Sequence, residues 1–188
     1  MTNISAVLLT GGESRRMGKD KATLLFRGEP LWQIQFDLLR KLQPAEIFIS
    51  ARSDPSWRPN EIRFVADDPP SRGPLSGLAA VLGRIRTTHL LALAVDMPFM
   101  SEKYLRSLCD LIGPGYGVLP MIGDLAEPLA AIYPAQAHVD LIAALRSDDF
   151  SLQTITALLV KHRKLRSVQV SDEEKKFFRN INEAADLN

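Results

Sequence analysis

Gly11 and Gly12 are adjacent and are followed by Arg15, Arg16, Lys19 and Lys21, which places four cations within seven residues. Paired glycines let the backbone come close to a ligand, because no Cβ stands in the way, and successive free N–H groups can curl around phosphate oxygens. The chemistry that suits this stretch is the holding of a phosphate chain. Neither familiar phosphate loop has its form. The P-loop spacing fails because Gly12 to Gly18 encloses five residues and Lys19 is followed by Asp20 rather than by Ser or Thr. The dinucleotide pattern G-x-G-x-x-G fails because the glycines are adjacent and the next is Gly18. A flexible glycine turn with solvated cations has the same composition, so the motif is weighed with the other polar residues of the chain.

Asp96 is the first of these. It follows the apolar run Leu90 to Val95, so it is held at the rim of a buried strand, where a hard carboxylate suits a Mg²⁺ ion that also takes phosphate oxygens. An Asp there can instead cap the next helix, but Ser101, immediately before Glu102, is the better cap. Asp67 and Asp68 precede the segment Pro69 to Gly77, and one of the two is expected to satisfy backbone donors in this proline-rich turn. His89, His138 and His162 are dispersed and lack Cys or His partners at metal-ligand spacing. No G-x-S-x-G elbow accompanies a credible triad. Trp32 and Trp57 suit core or rim packing, and Cys109 falls in an apolar helical pattern with Leu105, Leu108 and Ile112, as expected of an inert core thiol.

The elements that must carry these residues alternate between strand and helix. Ile4 to Leu9 forms a short buried run stopped by Gly-Gly, which predicts a strand opening into the basic loop. Ala22 to Phe26 leads to a turn at Arg27-Gly28-Glu29-Pro30, and Leu31, Ile34, Leu38, Leu39 and Leu42 then recur with helical spacing, with Pro30 suited to the first turn. Strands are predicted at Glu46 to Ser50, Arg63 to Ala66 and Leu90 to Val95, with shorter ones near Val118 and Ala130. Helices are predicted at Leu75 to Ile85, Glu102 to Ile112, Ala135 to Leu145 and Leu152 to Val160. The basic cluster Lys161 to Arg166 is expected to form a solvated turn before a strand. This order predicts an α/β fold: a three-layer α/β/α sandwich with a mostly parallel, Rossmann-like sheet, whose ligands bind beyond the carboxyl ends of its strands.

With 188 residues, 46% hydrophobic and 24% charged, the chain is expected to form one globular domain spanning residues 1–188. A net charge of +1 provides no global attraction for nucleic acid or for an anionic membrane, and neither is an expected partner. The single Cys109 excludes an internal disulfide, the start of the chain lacks a signal-peptide pattern, and a cytoplasmic location is expected.

The stretch Leu8 to Lys21 resembles the signature Leu-x-Gly-Gly-x-Ser-x-Arg-Met-Gly-x-Asp-Lys of the molybdenum cofactor guanylyltransferase family. The resemblance implies a nucleotide-diphospho-sugar transferase-like fold and a Mg²⁺-dependent enzyme that transfers GMP from GTP to molybdopterin, releasing pyrophosphate. It implies nucleotide contacts from Leu9, Thr10, Gly11, Gly12, Lys21, Asp68 and Asp96, with Arg16, Lys21 and Asp96 as catalytic groups and Asp96 as the metal ligand. Asp68 aligns by its position before Gly73-Pro74-Leu75-Ser76-Gly77. Ser50 stands where family members can carry an Asn that contacts nucleotide, and is placed with the nucleotide residues. Glu127 to Tyr133 resembles the strand lining the acceptor side, with Glu127 where some relatives carry His. Asn180-Ile181-Asn182 resembles an Asn-x-Asn segment whose amides hydrogen-bond the pterin, and alternation places both amides on one face of an extended segment. An alternative is that Asn182 caps a short terminal helix. GTP and molybdopterin are thus the implied small-molecule partners, with a cofactor-assembly protein or a molybdoenzyme as candidate protein partners. Two readings remain beside this one: a cytidylyltransferase or a sugar- or alcohol-phosphate nucleotidyltransferase of the same fold, and a non-catalytic nucleotide-binding module.

If nucleotide binds at the N-terminal strands and pterin near the C-terminus, changing Asn180 and Asn182 to Ala weakens pterin binding and leaves GTP affinity nearly untouched. Equal losses for both ligands in a folded variant would remove this division.

Overall fold

The computed structural model describes residues 4–10, 20–67, 71–147 and 151–181. Ile4–Leu9 (β1) and His89–Ala94 (β6) are strands in which all six residues are buried, and they pair in parallel from Ile4 with His89 through Leu9 with Ala94. Such continuous burial is the mark of central parallel strands covered on both faces. Ile47–Ala51 (β4) pairs in parallel with the other side of β1, and Arg63–Ala66 (β5) extends the sheet beyond it. Past β6 lie Ile132–Pro134 (β9), Gly117–Ile122 (β7) and Leu165–Gln169 (β10), giving the order β10-β7-β9-β6-β1-β4-β5, with Leu125–Ala126 (β8) paired to β7. β9 runs antiparallel to both of its neighbours. The remaining main ladder is parallel, so β1, β4, β5 and β6 present their carboxyl ends along one edge.

Side-chain alternation divides the core between two faces of this sheet. Ala6, Leu8, Ile49, Leu91 and Leu93 face Leu31–Lys41 (α1) and Glu102–Cys109 (α3). Val7, Leu9, Phe48, Val65, Leu90 and Ala92 face Pro74–Leu82 (α2), His138–Leu145 (α4) and Leu152–Lys161 (α5). The three-layer α/β/α sandwich expected from the sequence is the observed architecture. α2 buries every residue from Leu75 to Leu82, consistent with its apolar composition all round. No helix among the described residues is long and apolar enough to cross a membrane.

Several boundaries differ from expectation for local reasons. No strand forms at Ala130: Pro128–Ala130 is a 3-10 turn, since Pro128 has no N–H for a ladder, and the strand begins at Ile132. α3 stops at Cys109, before the Gly113–Tyr116 turn, rather than at Ile112. α4 begins at His138 after a 3-10 turn over Ala135–Ala137. Pro30 sits just before α1, as its N-cap residue and as part of the hairpin Leu25–Phe26 (β2) and Glu29–Pro30 (β3). That hairpin turns through Arg27 and Gly28, both at positive φ. Ser101 does cap α3, its Oγ accepting from the N–H of Tyr104. Burial pushes the Cys109 thiol up to about 11, which keeps it protonated and inert. Lys164 pairs with Asp140 at 2.5 Å within the basic turn before β10.

β7 and β9 approach so closely at Gly117 that a Cβ there would lie 1.8 Å from the Ile132 carbonyl oxygen. The obstacle is backbone in a paired strand and cannot rotate away. Gly117→Ala is therefore expected to destabilise the fold by about 3 kcal/mol or more, a fall of roughly 6–12 °C in Tm for a chain of this size. Thermal unfolding checks this, and a wild-type Tm would refute the close approach.

Candidate active site

The shared carboxyl edge gathers polar residues from four strands. Thr10, just past β1, donates its N–H (3.0 Å) and its hydroxyl (3.2 Å) to the Ser50 carbonyl on β4. The Ser50 hydroxyl donates to Asp67 Oδ1 at 3.2 Å, and the Ser71 hydroxyl to Asp67 Oδ2 at 3.0 Å. The Asp67 N–H donates to Ala51 at 3.0 Å, which continues the edge from β4 to β5. α2 lies hard against this cluster at Gly77, where a Cβ would stand 2.6 Å from Ser50 Oγ and 2.9 Å from Asp67 Oδ1. The absence of a side chain at Gly77 is thus what allows the helix and the carboxylate to share the rim.

Lys21 and Asp96 meet at the centre of the same edge. Lys21 Nζ lies 2.8 Å from Asp96 Oδ2, joining residues 75 positions apart in sequence. The two side chains are only 20% and 22% exposed, so this charge-assisted contact is screened less than a surface pair. Lys21 opens a 3-10 turn, Lys21–Thr23, whose N-cap Asp20 accepts from the Ala22 N–H at 3.0 Å. Asp96 follows β6, and the Val95 N–H donates to the Leu9 carbonyl at 3.1 Å, tying the ends of β6 and β1 together. The Ile181 N–H donates to the Asp96 carbonyl at 2.9 Å, and a side-chain amide of α1, from Gln35, donates to the carbonyl of Met97.

The residues singled out from sequence are therefore placed unequally. Thr10, Lys21, Ser50 and Asp96 share the edge, and the Ile181 contact brings Asn180, exposed, beside Asp96 from the far end of the chain. Leu9 is a core residue with its side chain beneath α2, so only its backbone faces the loop. Ser50 is fully buried with its hydroxyl committed to Asp67, so its influence on this rim passes through Asp67 and through the carbonyl that holds Thr10. Gly11, Gly12, Arg16, Asp68 and Asn182 lie outside the described residues. Among the described residues the Asp67 carboxylate is bound by the Ser50 and Ser71 hydroxyls, a pairing that no local sequence pattern signals. Glu127 is half buried, and burial pushes its carboxyl up from the usual range, which favours its neutral form. Phe177 and Phe178 pack on Tyr104 with ring centroids 5.8 and 5.3 Å away, which seats the C-terminal segment on α3.

The donor set at Asp96 fits a Mg²⁺ ion. Its Oδ2 is held by Lys21, and Oδ1 accepts no hydrogen bond among the described residues. Mg²⁺ bound with a nucleotide takes one or two protein carboxylates and completes its shell with phosphate oxygens and water. No group of three or more His, Cys, Asp and Glu capable of holding a metal by themselves occurs among the described residues. The described part of the rim thus offers the Asp96 carboxylate with the Lys21 ammonium beside it, the Asp67 carboxylate held by hydroxyls, and the adjoining segment that bears Asn180.

The family described as MobA-like NTP transferase domain matches residues 6–165. The chain is 36% identical over 175 residues to a probable molybdenum cofactor guanylyltransferase of Opitutus terrae, covering 92% of this chain and 87% of the relative. It is 31% identical to a probable molybdenum cofactor guanylyltransferase of Pelotomaculum thermopropionicum over 100% of this chain and 91% of that one. In structure it is similar to molybdopterin-guanine dinucleotide biosynthesis protein A from Archaeoglobus fulgidus, with a TM-score of 0.77 at 24% identity, over 97% of this chain and 94% of the other. The fold is shared with 4-diphosphocytidyl-2C-methyl-D-erythritol synthase from Anaerococcus prevotii, with a TM-score of 0.72 at 15% identity over 99% and 93% of the two chains. The match over residues 6–165 and a relative 36% identical over 92% of the chain mean that this chain belongs to the family of MobA-like NTP transferase domains and so to the nucleotidyltransferases.

Proposed function

We propose that the protein transfers GMP from GTP to molybdopterin, forming a guanine dinucleotide and pyrophosphate. The Lys21–Asp96 pair carries this reading, because it sets a cation suited to phosphate beside a carboxylate suited to Mg²⁺ at the exit of the basic loop. The names of the relatives, molybdenum cofactor guanylyltransferases over nearly the whole chain, support the same donor and acceptor. In the proposed reaction, a terminal phosphate oxygen of the pterin attacks the α-phosphorus of GTP. The new P–O bond forms as the bond from the α-phosphorus to the bridging oxygen breaks, and that oxygen leaves with pyrophosphate. A phosphate monoester is already ionised near neutral pH, so no protein base is required.

The chain's part is positioning and charge stabilisation. The backbone of Gly11 and Gly12, with Leu9 and Thr10 before them, would cradle the phosphates. Lys21 and Arg16 would neutralise charge gathering on the α-phosphate and on the departing pyrophosphate. Asp68 would contact the nucleotide, with Ser50 acting through its neighbours at the rim. Asp96 would hold Mg²⁺, which supplies charge neutralisation to the phosphate oxygens when bound. Asn180 and Asn182 would hydrogen-bond the pterin, so that residues 1–188 act as one domain with a nucleotide half and an acceptor half. The Lys21–Asp96 contact also weighs against a pure binding module, which has no need of a metal carboxylate facing a phosphate lysine.

Incubation with Mg²⁺, molybdopterin and either GTP or CTP, with pyrophosphate measured, tests the reading. Release with GTP supports it, release with CTP alone replaces it by the cytidylyl reaction that Ser50 leaves open, and release with neither removes transferase activity toward this acceptor.

Lys21→Ala is expected to lower turnover about 100-fold, since one positioned transition-state donor is worth roughly 3 kcal/mol. The Tm should move by only a few degrees, because Lys21 lies at the rim and removes no core contact. A folded Lys21→Ala protein with wild-type turnover would take Lys21 out of the mechanism.

Asp96→Asn keeps the shape and one oxygen ligand but loses the charge that holds a hard cation. Its activity is expected to fall steeply and to recover in part as Mg²⁺ is raised or Mn²⁺ supplied, since a weakened site still fills by mass action. Metal titrations of both proteins decide it: the same midpoint in each would exclude Asp96 as the ligand.

A further inference from the structure

Helix α1 touches the supports of both members of the Lys21–Asp96 pair. Trp32 and Gln35 are three residues apart on α1 and so lie on neighbouring positions of one helix face. The Trp32 ring stacks on Trp57, with centroids 4.9 Å apart and planes inclined by 15°. Trp57 Nε1 donates to Asp20 Oδ2 at 2.9 Å, while Asp20 Oδ1 accepts from the Ala22 N–H at 3.0 Å. The Asp20 carbonyl accepts from the Thr23 hydroxyl at 2.8 Å and from the Thr23 N–H at 3.0 Å, so one aspartate organises the turn that presents Lys21. Trp57 and Asp20 are 37 positions apart in sequence, so the connection is made by the fold.

Gln35 supports the other member. It is fully buried, its Nε2 donates to the Met97 carbonyl, and its Oε1 has no partner among the described residues. A buried amide with one unsatisfied end is costly, and an apolar side chain of similar shape would fill the same space without that cost. Its contribution here is the hydrogen bond to the carbonyl of Met97, the residue after Asp96. With the Ile181 N–H on the Asp96 carbonyl, two successive carbonyls of the turn are each held by a donor from a different part of the chain.

We propose that α1 is a brace that sets the spacing of Lys21 and Asp96, with Gln35 and Trp57 as positioning residues for the metal carboxylate and the phosphate lysine. The proposal rests on the nucleotidyltransferase reading above. A triphosphate and its metal span both groups at once, so a shift of either member alone misplaces the reacting phosphorus even when GTP still binds.

The test uses the full chain with Gln35→Met, which keeps the shape and removes the donor, and Trp57→Phe, which keeps a stacked ring and removes the N–H. Leu159→Val, in the core beneath the opposite face of the sheet, serves as a destabilised control. Tm, kcat, the KM for GTP and the Mg²⁺ midpoint are measured for each. Gln35→Met is expected to lower kcat by about 10- to 100-fold with little change in the KM for GTP, and to raise the Mg²⁺ midpoint several-fold. Trp57→Phe is expected to raise the KM for GTP and lower kcat while leaving the Mg²⁺ midpoint near that of the wild type. Leu159→Val should lower Tm and move none of the kinetic values. A wild-type kcat and Mg²⁺ midpoint in Gln35→Met, or a loss of kcat in Leu159→Val as large as in Gln35→Met at a matching fall in Tm, would overturn the brace. If Gln35→Met does not fold, Trp57→Phe decides, and a wild-type KM and kcat in it are the overturning result. A wild-type protein that releases no pyrophosphate defeats the transferase reading separately; the brace is then judged by calorimetric binding of GTP and of Mg²⁺ to the same variants, with unchanged affinities overturning it.

Discussion

The parallel pairing of β1 with β6 is the constraint on which the site depends. Six consecutive residue pairs, Ile4 with His89 through Leu9 with Ala94, lie at the centre of the sheet with every residue buried. Because the strands run the same way and in register, the basic loop leaves β1 at the edge where Asp96 leaves β6. A one-residue slip would turn each side chain to the other face and exchange the two halves of the core, so this register is strongly specified. Val95, donating to the Leu9 carbonyl, carries the pairing to the last residue before Asp96.

On that edge each described carboxylate has at least one donor from the chain itself. Lys21 compensates Asp96, and the Ser50 and Ser71 hydroxyls both point at Asp67. Half-buried carboxylates left without donors would be expensive, and these contacts offset that cost. The same economy appears at Gly77, where a missing Cβ lets α2 close over Ser50 and Asp67. Packing and electrostatics are here one arrangement: the helix that seals one core face also fixes the carboxylate at the rim.

The opposite face couples to the site through α1 and through the C-terminal segment. Phe178 and Ile181 are buried in the α1 and α3 core, so the stretch bearing Asn180 is anchored by apolar burial on both sides and delivered beside Asp96. The far end of the chain is thereby brought to the edge where β6 ends, beyond the stretch 6–165 that the family model matches.

By itself the sequence determined the layer order, the family signature of the first loop and the place of Asp96 directly after a central strand. Those features are local: a six-residue apolar run stopped by paired glycines, and a carboxylate directly after an apolar strand, carry their meaning within a few residues. Helix ends and the strand near Ala130 were less legible, because Pro128 and the turns after Leu82 and Cys109 shift boundaries without altering the periodic pattern. Only the tertiary structure decided that β9 runs antiparallel between β6 and β7, that Asp67 is the carboxylate bound by Ser50, and that Trp57 reaches Asp20 and Gln35 reaches Met97. Each of these is a contact between segments distant in sequence, formed by single polar groups that leave no periodicity behind, and their partners are chosen by how the buried faces of strands and helices must stack.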